Sequence, residues 1–217
     1  MGAVTLEFLK QQLELADQLL AGGPHMLEPQ DLPGRYGRVV AAVDHLLQVL
    51  HCNAVLVGGW AVWRHGFVGR ITQDIDIVLP AARVDDFLQA ASVAGFQVLS
   101  RQEGRWPKLL HKETGVQLDI LPEGAHPGSA SKPAPTTIPH PGIMGAKGWT
   151  LRYIDLRSLI ELKLAAGRLR DEGDVGELVR ANPDQVEAIR QHLATVHPGY
   201  VAAFDQLVHR AQEQRDQ

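Results

Sequence analysis

Apolar residues recur with two different periods along the 217-residue chain, and the change of period divides the chain into three parts. Towards both ends, leucines and valines recur every three or four positions, which predicts amphipathic helices. In the middle, short β-branched runs bounded by Gly and Pro predict strands. We therefore expect an α+β fold with N-terminal helices packing on the core over 1–53, a sheet core over 54–154 and a helical C-terminal region over 155–217.

The same patterns predict the individual elements. The predicted helices span 4–22, 36–52, 60–66, 82–95, 156–181, 184–196 and 199–214. The predicted strands span 54–59, 74–80, 96–101 and 150–154, with a hairpin over 106–122 that turns at Lys112–Gly115. Asp155 is the predicted N-cap of the helix over 156–181, and we expect a break in that helix near Gly173. The segment 122–149 holds six prolines and five glycines, so we expect a loop that is either functional or mobile.

Two aspartates interrupt a strongly apolar strand. Asp74 and Asp76 alternate with Ile75 and Ile77, so the carboxylates lie on one face, about 7 Å apart at ~3.3 Å per residue. Such a pair repels itself unless a cation lies between the carboxylates. A solvated edge strand would explain the pair alone, but Asp119 is a third acid in a later apolar strand. If the two strands are neighbours, three carboxylates converge on a site suited to Mg²⁺.

Two glycines lie between an apolar strand and the short helix upstream of these acids. Gly58 and Gly59 would let phosphate groups approach the backbone, and a helix N-terminus carries partial positive charge. The sequence around them matches neither the P-loop nor the dinucleotide-binding pattern, so by itself the pair indicates only a tight turn. Its position just before the acidic strand favours a phosphate cradle.

The stretches "GGWAVWRHG", "RITQDIDIVL" and "VQLDIL" together resemble the nucleotidyltransferase superfamily, which has the polymerase-beta-like fold. That family combines a Gly-Gly or Gly-Ser turn, a strand with two acids around one apolar residue, and a third acid on a later strand. "LIELKLAAGRLRDEGDVGELV" is similar to a segment of the AbiEii-like and related uncharacterised bacterial branch. The resemblance covers about residues 54–180. It implies a nucleotidyltransferase-like mixed sheet flanked by helices.

The resemblance also implies a role for each matching residue. Gly58 and Gly59 would hold the nucleotide phosphates. Asp74 and Asp76 would bind metal, and Asp119 would be the third ligand or the base for the incoming hydroxyl. All three aspartates are therefore the predicted catalytic and metal-binding residues.

The long C-terminal helix adds predicted cationic residues. Lys163, Arg170 and Asp174 share one face of that helix, so we expect Lys163 to contact phosphates with Arg170 in support. The alternative is a solvated face laced with salt bridges. Arg70 and Thr72 lie just upstream of the acidic strand, where the resembling family often has R-x-T, and we expect them to orient the acids.

The implied reaction is the Mg²⁺-dependent transfer of a nucleoside monophosphate from an NTP such as ATP to a hydroxyl. Two Mg²⁺ ions are expected, with Mn²⁺ as the alternative. The acceptor stays open between tRNA or another RNA, a protein and a small molecule. The resemblance also implies a toxin–antitoxin component with a cognate antitoxin. The alternative function is a catalytically inactive nucleotide-binding or protein-interaction module of the same fold.

Composition and charge remove some other classes of protein. Apolar residues make up 45% of the chain, charged residues 21%, and the net charge of −4 argues against a generally basic nucleic-acid-binding surface. A local basic cluster is either a solvated hairpin or a guide for RNA or nucleotide: Arg101, Arg105, Lys108, His111 and Lys112. The single cysteine, Cys52, is expected to be buried. No apolar run reaches the ~20 residues of a membrane span and no signal peptide is recognisable, so we expect a cytoplasmic protein without a membrane partner.

Overall fold

A six-stranded mixed sheet forms the centre of the protein in the computed structural model, which describes residues 5–22, 28–68, 70–100, 106–129 and 131–213. The strands are β1 (Val55–Val57), β2 (Asp74–Leu79), β3 (Phe96–Ser100), β4 (Lys108–His111), β5 (Gln117–Pro122), β6 (Gly128–Ser129), β7 (Lys132–Pro133) and β8 (Arg152–Tyr153). In the sheet the order is β3-β4-β5-β2-β1-β8, and β6 and β7 form a separate hairpin.

Helices cover this sheet and continue beyond it. They are α1 (Leu6–Gly22), α2 (Gly34–Val49), α3 (Gly58–Arg64), α4 (Val84–Val93), α5 (Leu156–Ala166), α6 (Leu169–Ala181), α7 (Val186–Val196) and α8 (Pro198–Glu213). The predicted α+β class, a mixed sheet with helices and a helical C-terminal part, is confirmed.

Strand β2 is the central strand that presents the acids. It pairs in parallel with β5 on one side and antiparallel with β1 on the other. Ile75 and Ile77 of β2 and Leu118 and Ile120 of β5 are fully buried, because alternation along each strand directs these side chains into the core. The opposite face of both strands is therefore free to carry polar side chains.

The C-terminal helices pack on one another through apolar stripes. Their fully buried side chains include Ile160 of α5, Leu178 of α6, Leu193 of α7 and Phe204 of α8. Asp155 caps α5 as predicted, because its side chain accepts a hydrogen bond from the Ser158 amide at 3.0 Å. Among the described residues, no helix has the length and apolar composition needed to cross a membrane.

Two of the differences between predicted and observed element boundaries lie close to the predicted site residues. The helix predicted over 156–181 breaks at Gly167 rather than near Gly173, because Gly167 has φ +61° and ends α5 in the left-handed conformation. The strand predicted over 54–59 ends at Val57, and Gly58 and Gly59 are the first two residues of α3. Both corrections fall next to predicted site residues: Gly58 and Gly59 in one case, Lys163 and Arg170 in the other.

The proline-rich segment 122–149 packs against the rest of the protein over its described residues. It contains the β6–β7 hairpin, and Ile138 and Met144 are buried in the core. Ile138 exchanges backbone hydrogen bonds of 2.9 Å with Gly124 and Ala125. The Thr136 hydroxyl lies 2.8 Å from the Tyr200 hydroxyl of α8, so the segment also contacts the C-terminal helices.

Candidate active site

Three aspartates converge on the polar face of β2 and β5. Asp76 and Asp119 are direct neighbours in the parallel register, and Asp74 lies two residues earlier on the same face of β2. One carboxylate oxygen from each of the three lies within 4.8 Å of the other two. We call these three residues the carboxylate triad. The predicted convergence of the three acids is confirmed.

Hydrogen-bond donors match only part of the negative charge of the triad. Among the described residues, neither Asp74 nor Asp76 accepts a hydrogen bond or forms an ion pair. Burial raises the pKa of Asp76, and the charges of Asp74 and Asp119 raise it further, to about 7. Converging carboxylate oxygens are the donor set that hard divalent metals bind, so these residues fit Mg²⁺ or Mn²⁺.

The glycines bring α3 against this acidic strand. Gly58 has φ +67°, and a Cβ at this position would lie 1.9 Å from Oδ2 of Asp76. A Cβ on Gly59 would lie 2.4 Å from the Thr72 hydroxyl oxygen. Only glycine therefore allows this approach, on grounds of both conformation and space at Gly58. Their predicted contact with phosphates stays a prediction.

Asp119 differs from the other two acids because both of its oxygens accept hydrogen bonds. Gln117 Nε2 donates to Oδ1 at 2.7 Å, and Lys108 Nζ forms an ion pair with Oδ2. Lys108 lies directly opposite Asp119 in the antiparallel β4–β5 pair, so the two side chains share a face. The sequence placed Lys108 only within a basic cluster. Counting outward from the predicted turn at Lys112–Gly115 would have placed it opposite Asp119.

A second group of charges surrounds two aspartates of α6. Lys163 Nζ donates to Asp171 Oδ1 at 3.0 Å and to Asp174 Oδ2 at 2.5 Å, and its side chain is only 5% exposed. Arg70 Nη1 donates to the same Asp174 oxygen at 2.8 Å, and Arg168 Nε donates to Asp171 Oδ2 at 2.6 Å. We call these five residues the ion-pair cluster.

The ion-pair cluster is near enough to act on the triad. The positive charges of Lys163 and Arg70 lower the pKa of Asp76, but burial and the neighbouring acids outweigh them. For Asp171, burial alone would raise the pKa, yet the hydrogen bond from Arg168 and the charge of Lys163 hold it below its usual range. The cluster therefore satisfies its own acids while leaving those of the triad short of cations.

The other predicted cations and rings have different surroundings. Arg170 is exposed on α6, because the break at Gly167 separates it from the face that carries Lys163. Its predicted role in phosphate binding stays a prediction. Thr72 is buried without a hydrogen-bond partner for its hydroxyl among the described residues. Trp60, directly after the glycines, is fully buried and its ring centroid lies 4.7 Å from that of Tyr36.

The remaining members of the predicted basic cluster divide into two groups. Arg101 and Arg105 lie outside the described residues. His111 is buried at the end of β4, and Lys112 is exposed in the turn. The predicted burial of the single cysteine, Cys52, is confirmed. The sequence reasoning did not single out Arg168 or Gln117, and only the tertiary contacts reveal their positions.

No family model and no curated protein matches the sequence. A crystal structure of ANT(2'')-Ia in complex with adenylyl-2''-tobramycin is 14% identical, with a TM-score of 0.41 over 80% of this chain and 97% of that chain. JHP933 from Helicobacter pylori is 11% identical, with a TM-score of 0.38 over 99% of this chain and 97% of that chain. The STING-associated CdnE c-di-GMP synthase from Capnocytophaga granulosa is 9% identical, with a TM-score of 0.31 over 94% of this chain and 95% of that chain. At TM-scores below 0.5 these likenesses carry no weight for function.

Proposed function

We propose that this protein is a Mg²⁺-dependent nucleotidyltransferase that moves a nucleoside monophosphate from an NTP to a hydroxyl acceptor. The observation that carries the proposal is the carboxylate triad, with one oxygen of each acid within 4.8 Å of the others. Three converging carboxylates repel one another, and the single ammonium of Lys108 balances only one of their charges. The triad is therefore best explained by a ligand that brings positive charge.

The metal would be held by Asp74 and Asp76, with Asp119 as the third ligand or the base. When bound, Mg²⁺ would neutralise phosphate charge and polarise the phosphoryl group, and Mn²⁺ is the alternative. The oxygen donors of the triad match the ligand preference of both ions. These assignments combine the resemblance in sequence with the observed convergence of the side chains.

The proposed reaction requires the protein to position the acceptor and the NTP and to accept a proton. The acceptor oxygen forms a bond to the α-phosphorus, while the bond from that phosphorus to its bridging oxygen breaks and pyrophosphate leaves with the electron pair. Where Asp119 is the base rather than a ligand, the proton of the acceptor hydroxyl passes to its carboxylate, which Gln117 holds in place. Gly58 and Gly59 keep α3 close to Asp76, on the side where we assign the phosphates.

We assign different roles in triphosphate binding to the buried and the exposed cations of α5 and α6. Lys163 is buried and engaged by two aspartates, so we assign its contribution to its charge near Asp76 and to fixing α6 against α5. Arg168 lies at the junction of these helices, and its side chain is 71% exposed. The charge of Asp76 also raises the pKa of Arg168, after the larger effect of its hydrogen bond with Asp171. We therefore add Arg168 to Arg170 as a phosphate-binding candidate.

The proposal also concerns the acceptor and the cellular role of the protein. We retain three acceptor classes, which are RNA including tRNA, protein and small molecule. A toxin–antitoxin role rests only on the resemblance of "LIELKLAAGRLRDEGDVGELV". Growth inhibition on expression, relieved by a neighbouring gene, would support that role.

The proposal is tested by transfer of label from each α-³²P-NTP to RNA, protein and small-molecule fractions, with Mg²⁺ or with chelator. We expect Mg²⁺-dependent labelling of one fraction and loss of that labelling in Asp74→Asn. Asp184→Asn is the matched control, because Asp184 is exposed and far along the chain from the triad residues. Thermal unfolding with NTP and Mg²⁺ provides an independent binding measurement.

The outcomes separate the two candidate functions. Labelling that disappears in Asp74→Asn but survives in Asp184→Asn supports the enzyme. A Mg²⁺-dependent rise in unfolding temperature with NTP, but no label in any fraction, favours the inactive nucleotide-binding module. If no NTP raises the unfolding temperature and no label is transferred, the nucleotidyltransferase proposal is wrong.

A further inference from the structure

Lys108 brings an ammonium group to the carboxylate triad, in addition to the three acids to which the proposed function assigns metal binding and proton transfer. It begins β4 and lies directly opposite Asp119 of β5, so the antiparallel register fixes both side chains on the same face. Its ammonium forms an ion pair with Asp119 Oδ2, while Gln117 occupies Oδ1 at 2.7 Å. The third acid of the triad therefore already has a cation of its own.

The other cations near the triad are engaged elsewhere. Lys163 is paired with Asp171 and Asp174, and Arg70 also donates to Asp174. Within the described part of the chain, Lys108 is the cation that is in hydrogen-bond contact with the triad. Three carboxylates with one ammonium leave two negative charges, which a single divalent ion would balance.

We propose that Lys108 is a built-in counter-ion that competes with a second divalent metal for Asp119. Without nucleotide, the site then holds one ion at Asp74 and Asp76, and Lys108 occupies the remaining coordination space at Asp119. A second ion binds there only when the ammonium leaves. This inference rests on the proposed function, because it assumes that the triad binds divalent metal.

The surroundings of Lys108 allow such a movement. Its side chain is 42% exposed, whereas that of Asp119 is 12% exposed, so the ammonium approaches the triad from the solvent side. A lysine stem has several rotatable bonds, and its ammonium pairs with phosphate as readily as with carboxylate. An incoming triphosphate therefore offers Lys108 a new anionic partner and releases Asp119 for the second ion.

The test is a Mn²⁺ titration of the full chain without nucleotide, followed by the electron paramagnetic resonance signal of free Mn²⁺. We expect one bound ion in the wild type and two in Lys108→Met, or at least about fivefold tighter binding of the second ion in that variant. Lys108→Arg keeps the charge and should behave like the wild type. Lys112→Met is the matched control in the same hairpin, because Lys112 is exposed in the turn away from Asp119.

Each outcome decides a separate question. A gain in Mn²⁺ binding confined to Lys108→Met supports the inference. Equal number and affinity of ions in the wild type and Lys108→Met, with the same circular dichroism spectrum, overturns the inference and leaves the proposed function standing. If no variant and no wild-type sample binds Mn²⁺, the proposed function itself fails.

Discussion

Two groups of aspartates lie close together in this protein, and they differ in how their charge is balanced. Of the three triad acids, Asp119 alone has a cationic partner among the described residues, the Lys108 ammonium, whereas Asp171 and Asp174 are surrounded by one lysine and two arginines. The pKa of Asp76 is raised to about 7, and that of Asp171 is lowered. The pKa values of two aspartates in one protein are therefore shifted in opposite directions from the ordinary value.

The presence or absence of hydrogen-bond donors distinguishes a structural ion pair from a binding site. Acids that already have hydrogen-bond donors contribute to stability and have little need of a ligand. Acids that lack donors cost stability until a ligand supplies the missing charge, and perturbed carboxylates of this kind cluster at functional sites. The triad belongs to the second class and the ion-pair cluster to the first.

The largest expected effect is the loss of transfer activity in Asp76→Asn, by about 10³-fold or more, because a metal ligand is removed. At about pH 8, the metal-free variant should at the same time gain about 1–3 kcal/mol in its free energy of unfolding, since the amide removes repulsion within the triad. Labelled-NTP assays and chemical denaturation measure the two effects. A variant that loses both activity and stability would place Asp76 with the structural acids.

Lys163→Met should destabilise the protein by about 3–5 kcal/mol, because it leaves Asp171 and Asp174 buried without their shared ammonium. Chemical denaturation measures the change. Asp174→Asn in the Lys163→Met background should recover part of the loss, and the exposed Lys112→Met should cost little. A loss below about 1 kcal/mol would show that Arg70 and Arg168 suffice to stabilise the cluster.

Gly58→Ala should reduce transfer by about 10²-fold, because the new Cβ displaces Asp76 from its position. Gly115→Ala is the matched control, since Gly115 has φ +68° but nothing within 4 Å of a Cβ. Both variants carry the left-handed backbone strain, and only Gly58→Ala carries the clash. Similar activity in the two variants would mean that the contact between α3 and Asp76 does not shape the site.

The pH dependence of Mn²⁺ binding should reflect the raised pKa of Asp76, which is about 7. Metal requires the ionised carboxylate, so affinity should rise by up to about tenfold per pH unit below pH 7 and level off above it. Metal-free stability should change in the opposite sense. It falls as the pH rises from about 4 to about 7, since the unfolded chain ionises first. Asp76→Asn should flatten both profiles.

Much of the site could be predicted from the sequence, because the direction of each side chain along a strand depends only on its position in that strand. Alternation along β2 places Asp74 and Asp76 on one face whatever surrounds them, and the apolar run around Asp119 marked a second buried strand. The helix break at Gly167 was missed because a glycine within an apolar periodic pattern is compatible with helix continuation, and its φ of +61° depends on packing. Arg168 was missed for the same reason, since the break sets its position.

Alone, the sequence determined the elements that carry the acids, the face on which each acid lies and the glycines that allow α3 to approach them. These properties follow from backbone geometry, which depends on near neighbours in the chain. Only the tertiary structure established three further contacts. They are the parallel pairing of β2 with β5, the ion pair of Lys108 with Asp119, and the ion pairs of Lys163 with two aspartates. Ion pairs between distant segments form only when the chain folds, and they determine which acids are left without a cationic partner.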